Sequence, residues 1–358
     1  MAKIKYFSGF GSCTIVTTYA KELGFECGLL NELDPLRAQW AQETFRAQGL
    51  TDAEVVQGDF TDPKIFKALL RKFKQKGLEM ALFSPCCQPF SKAGKQHLDS
   101  PEAFLFLDII KFIRKARPLY SWIENAKEFP TSILKDDPRT IEQRIRDGLE
   151  PYGFDVKWVI QDAADFGTPQ HRRRSIFIIT RKDAPCVWNF PEKLKEPPKT
   201  AFQTIGHLPK VGAGERCPTI PLHNGPYLPQ CQIDCIHGVP EGGTAPNPVN
   251  VDGTKPKKKK PKYAYSRIKK HDVIGTIVQK SASISGYRTL HYEQDRVLTV
   301  WEIILLSGLD ETWYIPLWVR NREQLIRDVL GESFAPLHAR EILRMLANAL
   351  DEKSQNDK

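Results

Sequence analysis

Short apolar runs alternate with helix-like stretches through the first half of the chain, and this alternation limits the fold more than any other feature. Strand-like runs fall at residues 4–7, 25–32, 54–59, 78–83, 119–125, 154–161 and 175–180. Helical patterns are expected between them, at 14–23, 104–114 and 141–149. Strands that alternate with helices imply an α/β fold, a doubly wound parallel sheet with right-handed crossovers. Beyond about residue 185 prolines and glycines become frequent (Pro197, Pro198, Pro218, Pro221, Gly242, Gly243) and helical periodicity fades. That region reads as a loop-rich lobe inserted at 185–325. Apolar residues recur at helical spacing in 299–306 and 337–350. The expected division is therefore a sheet domain at 1–184, completed by 326–358, with the lobe between.

The strand ends carry the chemistry. The first runs into Phe7-Ser8-Gly9-Phe10-Gly11, where glycines let the backbone approach a ligand and open a helix toward it. The second ends in Glu32, an acid placed to hold ribose hydroxyls, and the third in Gly58-Asp59. Each acid could equally be a surface carboxylate or a helix cap; three strand ends in series favour an adenosine-bearing cofactor. The fourth ends in Pro85-Cys86-Cys87-Gln88-Pro89-Phe90-Ser91, which puts a thiol where a parallel sheet presents its ligands. Core packing of two small apolar cysteines is the plain alternative. Downstream stand Glu124-Asn125 and Gln170-His171-Arg172-Arg173-Arg174.

In this order the motifs make the chain resemble the C5-cytosine DNA methyltransferases, which use S-adenosyl-L-methionine to methylate carbon 5 of cytosine. The resemblance runs over most of 4–345, leaving out the lobe. It rests on Phe7, Gly9 and Gly11; on Cys87 to Ser91; on Glu124 and Asn125; on Gln170, Arg172 and Arg174; and on Arg296, Leu298, Thr299 and Glu302. The closing turn is only partly kept, at Gly331-Glu332-Ser333-Phe334. Three departures stand out: Cys86 replaces the second proline before the nucleophile, Ser12 a common glycine, and Glu332 a common asparagine.

The resemblance implies a Rossmann-like methyltransferase sheet and a catalytic set of Cys87, Glu124, Arg172 and Arg174. It implies cofactor contacts at Phe7, Gly9, Gly11 and Glu32, and further ones at Asp59, Phe60, Leu105 and Ser333. Gln88, Ser91, Lys92, Asn125 and Gln170 would meet the substrate, and the lobe would recognise the target. Carbon 5 of cytosine is a weak nucleophile, and thiolate attack at carbon 6 turns the ring into an enamine, so Cys87 would be a covalent catalyst. Positive neighbours favour a thiolate, which makes Arg172 and Arg174 candidates. Glu124 would engage the ring N3 and the amine, and an enclosed carboxyl can hold its proton to higher pH. The stretch 91–97, small and lysine-bearing, reads as a mobile loop for a flipped base.

Composition fits this reading. Of 358 residues, 41% are hydrophobic and 27% charged, as in ordinary globular chains. No apolar run spans a membrane and no signal-peptide pattern opens the chain, so the expectation is a cytoplasmic, nucleoid-associated place in a prokaryote or phage, or a nuclear one elsewhere. Eight scattered cysteines suit reduced thiols. The net charge of +9 is matched by one segment, 255–270, with nine Lys or Arg (Lys255, Lys257, Lys258, Lys259, Lys260, Lys262, Arg267, Lys269, Lys270) and no acid. A polyanion such as duplex DNA, a solvated loop and a nuclear-import signal all remain open for it. Cys217, His223, Cys231, Cys235 and His237 lack the paired spacing of structural zinc sites, and no metal is expected. Double-stranded DNA is the expected partner and a monomer the expected state. The alternatives are the same chemistry on tRNA or other RNA, a binding-only relative, and a dinucleotide dehydrogenase that would leave Cys87 and Glu124 without a role.

Overall fold

The structure is a computed structural model, and it describes residues 4–91, 97–256, 264–279, 281–286 and 289–357. Two compact units share the chain. The first comprises 1–162, 173–193 and 338–358; the second comprises 163–172 and 194–337.

The first unit is built on seven strands: β1 (Ile4–Gly9), β2 (Phe25–Glu32), β3 (Glu54–Gln57), β4 (Met80–Phe83), β5 (Tyr120–Ala126), β6 (Phe154–Asp162) and β7 (Arg173–Arg181). Among the described residues they form one sheet in the order β3-β2-β1-β4-β5-β7-β6. β4 and β5 are buried at every position, as strands covered on both faces must be. β1 to β5 pair in parallel, but β7 is antiparallel to both β5 and β6. The expected all-parallel sheet is thus a mixed one. The reason lies in the link: residues 163–172 are too few for the helical crossover that a parallel return requires.

Helices α1 (Pro35–Ala47), α2 (Pro63–Gln75), α3 (Leu105–Ala116) and α4 (Ile141–Leu149) cover this sheet. α1 and α2 start by one device, an aspartate cap followed by proline at the first helical position. Asp34 accepts from the N–H groups of Leu36 and Arg37, and Asp62 from those of Lys64 and Ile65. Beneath them lies a phenylalanine core in which Phe7, Phe60, Phe66, Phe83 and Phe112 meet within 5.0–6.5 Å.

The helix expected at 14–23 is absent. Two single 3-10 turns stand there, at Ile15–Thr17 and Lys21–Leu23. The cause is local: Thr14-Ile15-Val16-Thr17-Thr18 is a β-branched run, and Thr14 itself is left-handed at φ 71°.

The second unit contains α5 (Ala201–Ile205), α6 (Gln230–Ile236), α7 (Val300–Leu306), α8 (Leu317–Arg320) and α9 (Glu323–Glu332), joined by long irregular segments. Backbone carbonyls in such segments lack ladder partners and need donors from elsewhere. Buried arginines supply them. Arg267 gives five hydrogen bonds, to the carbonyls of Ile236, Val239, His291 and Gln294 and to Asp295. Arg296 holds Glu302 bidentately at 2.7 and 2.8 Å and also reaches the Val211 and Val297 carbonyls. Thr299 and Glu302 close a capping box at the start of α7.

The chain returns to the first unit in α10 (Pro336–Asn356), where His338 meets Gln161 at 2.9 Å and the Trp188 indole donates to the Ile342 carbonyl at 2.9 Å. The division expected at 184/185 and 325/326 therefore moves. Residues 185–193 stay with the sheet because Trp188 packs there, and 326–337 go with the second unit. No helix among the described residues is long and apolar enough to cross a membrane.

Candidate active site

Strand order reverses between β1 and β4, so their C-terminal ends flank the crevice where α/β sheets bind ligands. Register places Gly9 opposite Phe83, and the Ser84 N–H donates to the Gly9 carbonyl at 3.3 Å. The glycine turn and the cysteine loop consequently leave the sheet side by side. A Cβ on Gly9 would lie 2.7 Å from the Phe83 ring, and one on Gly11 would lie 2.6 Å from Leu30, so both positions demand glycine. Between and after them Phe10, Ser12 and Thr14 adopt positive φ values of 58°, 48° and 71°. Three left-handed non-glycine residues in five are costly, and such strain clusters at functional turns.

Glu32, at the end of β2, is pinned over this turn. Its carboxylate accepts from the Ser12 N–H at 2.8 Å and from the Asp34 N–H at 2.9 Å. Burial pushes its carboxyl above the ordinary glutamate value, opposed by the Asp34, Ser12 and Leu33 N–H groups and by Arg37. A carboxylate offers about four lone-pair sites, so Glu32 keeps acceptor capacity for a ribose hydroxyl. Asp59 is exposed, with one oxygen accepting from the Thr61 N–H and hydroxyl. Phe60 lies under Phe10 at 5.0 Å, while Phe7 is wholly buried, so Phe7 serves the turn through its backbone. Leu105 stands half-buried at the first position of α3.

The cysteine loop turns tightly: the Phe90 and Ser91 N–H groups donate to the Cys87 carbonyl at 3.2 and 3.1 Å. Phe90 anchors it against Phe129 at 4.9 Å. Cys86 and Cys87 are half-buried, and all eight cysteines stand outside disulfides. Gln88 is exposed and Ser91 half-buried. Lys92 and the rest of the expected mobile loop up to Gln96 lie outside the described residues.

β5 supplies the acid. Glu124 is 4% exposed, and Arg174 from the adjacent β7 places its Nε 3.0 Å from Glu124 Oε1. Asn125 is occupied at both ends. Its amide donates to the Pro85 carbonyl at 3.3 Å, and its oxygen accepts from the Ala126 N–H at 2.8 Å. Asn125 thereby ties β5 to the cysteine loop.

The remaining sequence-predicted residues fall in the second unit. Gln170 accepts from the Ile277 N–H at 3.0 Å, and Arg172 donates to the Ile277 and Gly331 carbonyls at 3.1 and 2.9 Å. The Arg172 guanidinium serves irregular backbone, as those of Arg267 and Arg296 do. Ser333 caps the end of α9, its hydroxyl donating to the Val329 carbonyl. In the basic segment, Lys257–Lys260 and Lys262 lie outside the described residues. Arg267, counted there as a surface charge, is 4% exposed and belongs to the interior. His223 is buried between Thr299 and the Pro209 carbonyl, and His237 pairs with Asp295. Among the described residues no three His, Cys, Asp or Glu side chains converge as metal ligands. Sequence reading missed the Asn125–Pro85 tie, which has no local signal, and the basic face of α2, which was visible as a run.

A switch-point thiol, a buried acid paired with arginine and a carboxylate at the end of β2 stand on one sheet in the layout of a nucleotide-binding α/β enzyme. The model of the C-5 cytosine-specific DNA methylase family matches residues 1–348. The chain is 30% identical over 357 residues to the Type II methyltransferase M1.HgaI of Avibacterium volantium, covering 95% of this chain and 97% of that protein. It is 29% identical to M1.HphI of Haemophilus parahaemolyticus, covering 96% and 87%. Among solved structures, a prophage-encoded protein of E. coli matches with a TM-score of 0.70 at 16% identity, over 98% of this chain and 100% of that one. Spodoptera frugiperda DNMT2 matches at 0.60 and 15%, over 96% and 99%. These two likenesses concern the fold. The chain belongs to the C-5 cytosine-specific DNA methylase family. It is a DNA (cytosine-5-)-methyltransferase whose methyl donor is S-adenosylmethionine.

Proposed function

We propose that Cys87 is the nucleophile of this methyltransferase, that Glu124 is its N3 partner, and that Arg174 holds Glu124 in place. The observation that carries this reading is the tie from Asn125 to the Pro85 carbonyl, which fixes the cysteine loop to the strand that bears Glu124. A cytosine taken out of its duplex presents carbon 6 to the Cys87 thiolate, and a C–S bond forms. As the ring accepts that electron pair, Glu124 bonds to N3 and stabilises the charge that collects there, which leaves an enamine whose nucleophilic carbon 5 takes the methyl group. S-adenosylmethionine supplies an electrophilic methyl group, and Glu32 with the Gly9–Gly11 turn would hold its adenosine portion. Loss of the carbon 5 proton to a base, a role water can fill, restores the ring and expels Cys87.

Arg172 acts as a positioning residue within the second unit. That unit is the proposed target-recognition lobe, in which side chains from irregular loops read base edges while cations meet phosphates. Double-stranded DNA is the proposed substrate form and a monomer the proposed state. Kinship with proteins named Type II methyltransferases supports the modification half of a restriction-modification pair, working with the DNA in a prokaryotic cytoplasm.

Duplex DNA carrying 5-fluorocytosine tests the covalent step, because a ring without a removable carbon 5 proton cannot expel the thiol. The expected result is a stable protein–DNA adduct mapped to the peptide at Cys87 and undiminished in Cys86→Ser. An adduct at Cys86, or none with a duplex that the enzyme otherwise methylates, would refute the assignment.

A further inference from the structure

Residues 63–76 hold six Lys or Arg and no acid, a concentration of charge that the catalytic reading leaves unused. They form α2 and its cap. Phe66, Leu69 and Phe73 bury one face of the helix. The opposite face then carries Lys64, Lys67, Arg71 and Lys74, all exposed and spaced three or four residues apart, so they stand in one row. Lys72, off that row, is neutralised by Glu54. The four in the row have no carboxylate within ion-pairing distance among the described residues. α4, another exposed helix of the same unit, shows the usual remedy: its Arg146 pairs with Glu142 and Glu150. The row is widened by α3, packed against α2 through Phe73 and Phe112 at 5.8 Å. Lys111 of α3 lies over the Phe66 ring at 5.0 Å, and Lys115 is exposed one turn further on.

Like charges three and four residues apart repel along a helix, so a row of them without acids fits a surface that meets a polyanion. We propose that the outer face of α2, with Lys115 of α3, is a second DNA-backbone surface, separate from the one that serves the flipped base. This rests on the DNA substrate given above, since the enzyme already works on a polyanion. α2 leaves the end of β3, at the edge that carries the site, and runs to the opposite edge, where β4 begins. Arg71 and Lys74 therefore lie toward the edge away from Cys87. From Lys64 to Lys74 the row is ~15 Å long at about 1.5 Å per residue, enough to follow several phosphates of one strand. A duplex there is the flank of the substrate molecule or a neighbouring stretch, and it keeps the enzyme on long DNA between targets.

The test is a variant with Lys64, Lys67, Arg71 and Lys74 each changed to Gln, a residue of good helix propensity that preserves the fold. Binding is measured against salt on duplexes of about two and about ten helical turns, beside methyl transfer on both. On the long duplex the log–log salt slope should fall by ~0.9 for each phosphate that the variant no longer neutralises, with affinity down about tenfold or more at moderate salt. On the short duplex affinity and turnover should stay as in the wild type. An unchanged slope on the long duplex overturns the proposal. Equal losses on both lengths overturn it too, by placing the row on the catalytic DNA track. So does wild-type retention on phosphatidylserine vesicles that the variant loses while its long-duplex binding is intact. Failure of the wild type to methylate either duplex would count against the catalytic reading instead, because binding is read independently.

Discussion

Removing Arg174 from beside Glu124 should be the most damaging single change in the sheet unit that leaves the nucleophile untouched. The two groups stand 3.0 Å apart, with side chains 12% and 5% exposed. At that distance their attraction is about 5 kcal/mol for an effective dielectric of about 20, and burial prevents water from replacing the missing partner. Truncating one member of such a pair ordinarily costs about 3–5 kcal/mol, mostly for the stranded charge. Arg174→Met should therefore lower the urea midpoint strongly and reduce kcat, because Glu124 loses its orientation. Arg174→Lys should recover part of both. In the double variant with Glu124→Gln no charge is stranded, and a double-mutant cycle should return a coupling of about 2–3 kcal/mol. Cofactor affinity, set at other strand ends, should not move. An additive cycle, or an Arg174→Met enzyme with wild-type kcat, would refute the pairing as a feature of the working site.

Two further changes test separate parts of the account. Gly11→Ala places a Cβ 2.6 Å from Leu30 and 2.8 Å from Ser8 Oγ, so it should cost about 1–3 kcal/mol and raise the Kd for S-adenosylmethionine; isothermal titration showing an unchanged Kd would detach the turn from the cofactor. Burial holds the His338 imidazole neutral, its pKa down to about 3, so the unfolded chain takes up a proton near pH 6.5 that the native protein refuses. Stability should accordingly fall as pH drops below about 6.5, by about 1.4 kcal/mol per unit for this group. His291, lowered to about 4 chiefly by burial, adds a second such dependence. His338→Gln should flatten the decline between pH 7 and pH 5 by about 2 kcal/mol, as urea midpoints at the two values would report, and an identical decline would assign the acid sensitivity elsewhere.

Much of the sheet was legible because β1 to β5 are apolar runs that stop at a glycine, an acid or a proline. The same runs carry no direction. An apolar strand reads alike either way, so the reversal of β7 could be found only from the shortness of 163–172. The stretch 14–23 misled because its apolar spacing suits a helix while its β-branched residues do not. Glu124 and Cys87 were legible as residues, but Asn125 was not: its bond to the Pro85 carbonyl joins positions 40 apart. Arginine was the least legible type. Arg172 and Arg267 look like phosphate ligands in a basic sequence, yet an irregular lobe needs fixed donors for its carbonyls, and the guanidinium suits that need. The lobe boundary moved for a similar reason, since Trp188 finds its partner at Ile342 across 154 positions.

The central claim is covalent catalysis on DNA cytosine by Cys87, and the most direct measurement is methyl transfer from radiolabelled S-adenosylmethionine. Mixed-sequence duplex DNA and total tRNA would be offered in parallel to the wild type and to Cys87→Ser, with cofactor and DNA binding followed alongside. The account predicts label on DNA cytosine that vanishes in the variant while both ligands still bind. Label that persists in Cys87→Ser, or that appears on tRNA and not on DNA, would contradict it.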